Sequence, residues 1–220
     1  MPNKGLLITF EGIDGSGKTT QAAKLAAALG QERSILTKEP GGTPVGKTLR
    51  SILLDPEISI DPKAELLLFL ADRAQHVQTV IRPHLEEGKI VIVDRFIDAT
   101  AAYQGFGMGH PLDLINTIHQ TILGGMTPDR TFLFDIDPDK ARERIISRGD
   151  TRTSVENRSA DFFRRVRNGY LLLAKENAGR FMVLDALLTP EELAGTIRSE
   201  VASLESVMGN GRHLREGSAC

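Results

Sequence analysis

A three-layer α/β/α fold around a five-stranded parallel sheet follows from three observations on the sequence. Five short runs are almost continuously apolar, which marks strands covered on both faces. Helical patterns separate these runs, and parallel pairing needs such crossovers. Glycine-rich and charged motifs stand directly after the runs, where open parallel sheets bind their ligands.

The elements follow in order. Gly5 to Phe10 (GLLITF) reads as a buried strand, and Lys18 to Leu29 as a helix. Ser34 to Thr37 is a short strand and Pro44 to Leu54 a helix. Asp61-Pro62 opens a long helix, with Asp as N-cap and Pro in the first turn. That helix reaches about Gly88, with a bend expected near Pro83. Lys89 to Val93 (KIVIV) is the next buried strand and Leu112 to Leu123 the next helix. Thr131 to Ile136 is a strand, and Asp137-Pro138 starts a helix by the same cap logic. Ser159 to Asn177 is helical, Phe181 to Leu184 is the last strand, and Thr189-Pro190-Glu191-Glu192 opens a helix to about Val207.

The 220 residues suit one domain, expected over 1–208, with a mobile insert at about 148–158 and a frayed Gly-rich tail over 209–220. Hydrophobic residues make up 40% and charged residues 25%, ordinary for a soluble domain with a real core. A net charge of -2 speaks against a general nucleic-acid or membrane-surface binder, which carries a basic excess. The one cysteine, Cys220, forms no internal disulfide and builds no metal site, so a reducing cytoplasm is expected. Met1 to Lys4 leads straight into a strand, so no leader is expected, and no apolar run approaches the roughly 18 residues that span a bilayer.

Gly12-Ile13-Asp14-Gly15-Ser16-Gly17-Lys18-Thr19 matches GxxxxGK[ST] at every defined position, between a strand and a helix as that motif requires. Glycines let backbone N–H groups close around phosphate oxygens, and the helix N-terminus adds partial positive charge. Residues 12 to 20, through Thr20, are therefore assigned to a nucleoside triphosphate, which the kinase reading below makes ATP. Lys18 is expected on the β- and γ-phosphates and the Thr19 hydroxyl on Mg²⁺. Asp94 ends the strand KIVIVD and suits a second Mg²⁺ ligand, held directly or through water. Arg95 sets a cation beside the metal, where a second phosphate needs one.

A GTPase switch is the main competitor, but the chain has no NKxD guanine-reading motif. It instead places eight arginines between Arg142 and Arg167, which suits a small kinase better. The motifs resemble those of bacterial thymidylate kinases, which are nucleoside monophosphate kinases. The resemblance runs from about Leu6 to Asp185. It includes FEGIDGSGKTTQ at Phe10 to Gln21, KEPGGT at Lys38 to Thr43 and LLFLADRAQH at Leu67 to His76. DRFIDATAAYQG at Asp94 to Gly105 and DFFRRVRNGYL at Asp161 to Leu171 complete it.

This resemblance implies transfer of the ATP γ-phosphoryl group to dTMP, giving dTDP for dTTP synthesis, by a homodimer. It implies that Glu39 and Pro40 border the monophosphate and that Arg50 reaches its phosphate. Phe69 and Arg73 share one helix face by their spacing, so an aromatic plane and a cation can meet one base. From the residues alone Phe69 reads equally as a core aromatic, and Arg50 as a surface residue. Thr100 is implied on the thymine edge, Tyr103 under the sugar with Gln104 beside it, and Asp14 on the 3′-OH or metal-bound water. Ala99 stands where the family commonly has serine.

The acceptor is a phosphate oxygen, largely ionised at neutral pH because the second pKa of a phosphate monoester is near ~6. No general base is therefore needed, and catalysis consists of holding two anions in line and stabilising the moving charge. Some family members carry an arginine in the phosphate loop after the acidic residue, but here that position is Gly15. The missing cation is then expected from a lid around RGDTRTSVENR, with Arg148, Arg152 and Arg158 as candidates and Arg142 stacking on adenine. This lid departs from the family's usual Asp-Arg pattern, so the choice between Arg152 and Arg158 stays open. The histidines show no metal-ligand spacing and read as structural or surface residues. Two other readings remain: a kinase for dUMP, UMP or dCMP, and a slow nucleotide-hydrolysing regulatory module. A panel of acceptor bases separates the first, and acceptor-dependent ADP release the second.

Overall fold

The computed structural model describes residues 5–148 and 158–216. Arg152 and the other residues of 149–157, together with 217–220, lie outside it. Its sheet has five strands: β1 (Leu6–Glu11), β2 (Ser34–Lys38), β3 (Ile90–Asp94), β4 (Arg130–Asp135) and β5 (Phe181–Asp185). They run in the order β2-β3-β1-β4-β5 with every pairing parallel. All of β1 and β3 is buried, whereas the edge strands β2 and β5 alternate between buried and exposed positions. Continuous apolar sequence thus marks the centre of the sheet and mixed sequence its edges.

Crossover helices cover the faces: α1 (Lys18–Leu29), α2 (Pro44–Leu54), α3 (Pro62–His76) and α4 (Arg82–Glu86), then α5 (Ile97–Thr100) and α6 (Leu112–Leu123). After β4 come α7 (Pro138–Arg148), α8 (Ala160–Glu176) and α9 (Pro190–Glu216). Side-chain caps open several of them, among them the ones expected at Asp61 and Thr189. Thr43 Oγ1 accepts the Gly46 N–H at 2.9 Å, with Pro44 in the first turn of α2. Asp61 caps α3 by accepting from the Lys63 N–H, and Ser159 caps α8 through Phe162. At α9, Glu192 Oε2 accepts the Thr189 N–H at 2.9 Å while Thr189 Oγ1 accepts the Glu192 N–H, a reciprocal capping box. Phe10, Phe132 and Phe134 pack at the centre of the main core, under Val166 and Tyr170 of α8.

Three elements differ from expectation. The long helix does not answer Pro83 at the proline itself. It widens upstream into a π turn over Val77–Ile81, where Arg82 donates to the Val77 carbonyl five residues back. Proline lacks an N–H and crowds the carbonyl four residues earlier, so the chain shifts its bonding register before reaching it. The segment after α5, where the sequence suggests no more than a short helical turn, continues as a π helix over Ala101–Gly107. Finally, α9 runs on to Glu216, past the expected end at Val207 and through Gly209 and Gly211.

β1 stands at the switch point, with β3 on one side and β4 on the other. The crevice beyond the C-terminal ends of these strands is where open parallel sheets bind ligands.

Candidate active site

Two motifs meet in that crevice. The turn between β1 and α1 is the glycine loop of residues 12–17, and Asp94-Arg95-Phe96 leaves the end of β3 beside it. Asp14 joins them. Its Oδ1 accepts from Lys18 Nζ at 3.1 Å and from Arg95 Nη2 at 2.7 Å. Burial opposes the charged form of Asp14. Arg95 first and Lys18 second outweigh it and hold the carboxyl well below the usual range. Lys18 is itself buried.

Gly15 explains why no arginine follows the acidic residue. Its φ is 83°, and a Cβ there would stand 2.4 Å from the Ala141 carbonyl of α7. A side chain at that position collides with backbone.

A cleft of about 700 Å³, part of it open to solvent, lies on the Arg95 side. Asp14, Glu39, Pro40, Arg50, Phe69, Arg73, Arg95, Thr100, Tyr103 and Gln104 line it, joined by Leu54 and Ala99. Every residue the sequence proposes for the acceptor therefore shares one wall. Phe69 is half-buried and belongs to none of the buried core clusters, so it shows its ring to the cleft. Arg50 is not a free surface residue, for its Nη1 donates to the Pro40 carbonyl at 2.9 Å. Burial, and then the neighbouring Arg95 charge, pull the Arg50 pKa below its usual value.

Behind the cleft wall lies a buried polar network that pattern reading did not reveal. Arg73 is 2% exposed. It donates through Nε to Glu39 Oε2 at 2.7 Å, through Nη1 to Thr100 Oγ1 at 2.7 Å, and through Nη2 to the Phe96 carbonyl at 2.8 Å. Nη1 also lies 2.7 Å from His119 Nε2. Burial, and then the Arg73 charge, push His119 down to about 3, so the ring is neutral and that nitrogen accepts. His76 Nδ1 donates to the second oxygen of Glu39 at 2.8 Å, and its Nε2 lies 2.7 Å from Thr37 Oγ1. Asp72 accepts the Gly41 N–H at 3.1 Å and so holds the loop after Pro40. Burial first, then Glu39, push Asp72 up to about 6. A Cβ on Gly46 would stand 2.2 Å from Asp72 Oδ1, so α2 approaches this carboxylate closely. The histidines here are structural, as the sequence suggests.

Tyr103 lies under the Arg95 guanidinium, 4.8 Å from ring centre to Cζ, and its hydroxyl accepts from Arg95 at 3.1 Å. Burial raises its pKa against the pull of Arg95, so it stays a phenol. The π-helical stretch carries Tyr103 and Gln104 on consecutive positions to the same cleft.

On the other side of Asp14 a second cleft is lined by Ile13, Asp139, Arg142, Arg158 and Phe163, among others. Arg158 donates through Nη2 to Glu65 Oε2 at 2.5 Å and lies over the Phe162 ring. Glu65 Oε1 accepts from Gln104 Nε2 at 3.0 Å, so one carboxylate links the two clefts. Arg142 lines this second cleft and is exposed. Arg148 is the last residue of α7, and its side chain is outside the described ones. Ser16, Gly17 and Thr20 face a third hollow with Arg144, which donates to the Ala186 carbonyl at 3.0 Å.

A divalent cation fits the end of β3. Thr19 Oγ1 donates to Asp94 Oδ2 at 2.5 Å, and Asp94 Oδ1 is buried with no partner among the described residues. An unpartnered carboxylate oxygen beside a hydroxyl is a hard-oxygen donor set, which suits Mg²⁺.

A glycine phosphate loop, an aspartate ending the neighbouring strand and a separate cation-lined cleft together define a P-loop nucleotide kinase. The thymidylate kinase family model matches residues 10–197. Thymidylate kinase of Chlorobium chlorochromatii is 47% identical over 208 residues, covering 89% of this chain and 94% of that protein. That of Halothermothrix orenii is 45% identical over 202 residues, with 90% and 97% covered. The crystal structure of thymidylate kinase from Ehrlichia chaffeensis superposes with a TM-score of 0.75 at 36% identity, covering 90% of this chain and 98% of that one. The chain belongs to the thymidylate kinase family.

Proposed function

We infer that the chain transfers the γ-phosphoryl group of ATP to the phosphate of dTMP, giving dTDP and ADP. The observation that carries this reading is the shared grip of Asp14 Oδ1 on Lys18 and Arg95, which sets two cations side by side between a donor loop and an acceptor cleft. Each cation serves one of two phosphates that repel each other. Lys18 holds the donor end, and Arg95 with Arg50 holds the acceptor phosphate, so the two anions stay in line.

The thymine ring lies against Phe69, with the remaining Arg73 donor and Thr100 at its edge. Tyr103 sits beneath the sugar, where it leaves little room for a ribose hydroxyl. Glu39 and Pro40 close the phosphate end, and Gln104 the far wall. Thr19 and Asp94 would hold Mg²⁺, which supplies charge neutralisation on the β- and γ-phosphates when bound. Arg158, already turned toward the second cleft, is the remaining cation for the moving phosphoryl group. Arg142 is the contact for the adenine. No residue acts as general base, because the acceptor oxygen is ionised near neutral pH.

A cytoplasmic homodimer completes the reading. Leu67 of α3 and Leu114 of α6 stay 60% and 48% exposed, apolar surface that a second copy would cover. Among the described residues no helix is long and apolar enough to cross a membrane. Sedimentation of the free protein tests the dimer.

The decisive assay couples ADP release to Mg-ATP with dTMP, dUMP, dCMP, dGMP or no acceptor. Release with dTMP, weak release with dUMP and none with the others is expected. Equal rates across the bases would remove the thymine roles of Phe69, Arg73 and Thr100. Release without any acceptor would instead point to simple hydrolysis.

A further inference from the structure

Arg95 has φ 70°, and it is the one non-glycine residue with positive φ among those described. A side chain with a Cβ disfavours that conformation, so neighbouring contacts have to hold it. Among the hydrogen bonds around it, three tie the main chain of Arg95 and Phe96 to other elements. The Arg95 N–H donates to the Phe10 carbonyl at 3.0 Å, which comes with the β1–β3 pairing. The Phe96 carbonyl accepts from Arg73 Nη2. The Phe96 N–H donates to Glu11 Oε1 at 2.7 Å.

This third bond depends on one side chain, that of Glu11. Glu11 ends β1, is wholly buried and lines neither of the two clefts. It has no ion-pair partner among the described residues. Its other oxygen accepts from the Tyr170 hydroxyl of α8 at 2.8 Å. Burial, and then the nearby Asp98 carboxylate, push Glu11 up to about 7, against the Phe96 N–H, Arg95 and Tyr170. Asp98 is itself gripped by Arg180 through two bonds of 2.7 Å, so it offers Glu11 no relief. A carboxylate in this position costs stability, and an apolar residue of the same length would remove that cost. What the apolar residue could not do is accept the Phe96 N–H.

We propose that Glu11 is a positioning residue for the acceptor site: by accepting the Phe96 N–H it holds Arg95 in its left-handed conformation, with the guanidinium against Asp14 and Tyr103 and facing the acceptor cleft. Glu11 touches no substrate and acts only through Arg95. Through Tyr170 the same carboxylate ties that bend to α8. The inference rests on the reading of Arg95 as the ligand of the acceptor phosphate.

The test is steady-state kinetics with dTMP and ATP varied separately, beside thermal unfolding, for Glu11→Met, Glu11→Gln, Arg95→Ala and the double variant Glu11→Met/Arg95→Ala. Glu11→Met keeps the length and loses the acceptor, so the KM for dTMP rises at least about tenfold while that for ATP stays within about threefold. Glu11→Gln keeps an acceptor oxygen for Phe96 and an amide for Tyr170, and it restores most of the dTMP affinity. On the Arg95→Ala background, Glu11→Met adds no further loss, because the residue it positions is gone.

Equal rises in both KM values, or a Glu11→Gln variant as impaired as Glu11→Met, would overturn the proposal. If Glu11→Met does not fold, Glu11→Asp takes its place. It keeps the charge but withdraws the acceptor from Phe96, and the same selective rise in dTMP KM is expected. An unchanged dTMP KM in Arg95→Ala is a different result, because it would remove the assignment of Arg95 and leave the Glu11 contact without its purpose.

Discussion

The two clefts on either side of Asp14 are built in opposite ways. In the cleft proposed for the acceptor the cations are held by the protein itself: Arg73 is buried on Glu39, Thr100, His119 and Phe96, and Arg95 is stacked on Tyr103 and bonded to Asp14. In the cleft proposed for the donor Arg142 is exposed, and Arg158 is bonded to Glu65. The proposed acceptor side is thus preorganised by its side chains, whereas the cations of the proposed donor side are not. Preorganised charge suits selection of one base and one phosphate position, because little has to be ordered on binding. A donor site made of main-chain groups suits triphosphate binding, whose recognition needs no particular side chain beyond Lys18.

The hardest way to break this contrast is to remove Arg73. Arg73→Leu leaves Glu39 a buried carboxylate with only His76 as partner. Breaking a buried pair on one side costs on the order of 3–5 kcal/mol, so a fall in melting temperature on the order of 10 °C is expected. Thermal unfolding measures it, and a shift of a degree or two would show that the network contributes to binding alone. Next in size, Arg95→Ala should cost about 100-fold in kcat/KM for dTMP, the loss of one charge-assisted phosphate contact. Its ATP affinity, measured by titration without acceptor, should change little. Equal loss for both nucleotides would mean that the two clefts are not separable.

How much of this was visible in the sequence differs between the same regions. The sheet centre was legible because LLITFE and IVIVD are apolar throughout, and the helix starts because Thr43, Asp61, Ser159 and Thr189 carry their caps locally. The residues of the Arg95 cleft were legible as a set only through the resemblance, since Glu39, Arg73 and Thr100 lie far apart in sequence and meet through tertiary packing. Nothing local marks the partners that hold them. Glu11, Glu65, Asp72 and His119 are polar residues in apolar or amphipathic runs, and only burial shows that their polar atoms face one another. The two π segments also carry no distinct local pattern. The first is explained by Pro83 after the fact, and the second places Tyr103 and Gln104 where a regular helix would separate them differently.

The pH dependence of stability sharpens the contrast further. Glu11 has its folded pKa raised, to about 7 from 4.5, because burial and Asp98 disfavour its charge. The folded state therefore holds a proton that the unfolded state releases between those values. Stability contributed by Glu11 is full below about pH 4.5 and is lost as pH rises through about 7, by on the order of 3 kcal/mol. Denaturant melts of wild type and Glu11→Gln at pH 5 and pH 8 test this. The variant should gain on wild type at pH 8 relative to pH 5. A difference that stays constant with pH would show that Glu11 is not the titrating group.

The smallest effect belongs to the donor side. Arg142 is exposed, and no hydrogen bond or ion pair is recorded for its side chain among the described residues. Removing it should leave the melting temperature within about a degree, since exposed side chains away from special features contribute within about ±0.5 kcal/mol. If it covers the adenine, Arg142→Ala raises the KM for ATP about two- to fivefold, the scale of an exposed cation–π contact, and leaves the dTMP KM alone. GTP as donor should be hurt less than ATP, because a weakened base contact costs most for the base it was shaped around. A dTMP KM that moved with that of ATP would join the two clefts into one cooperative unit. That outcome would direct attention to Glu65, the carboxylate that already touches Arg158 on one side and Gln104 on the other.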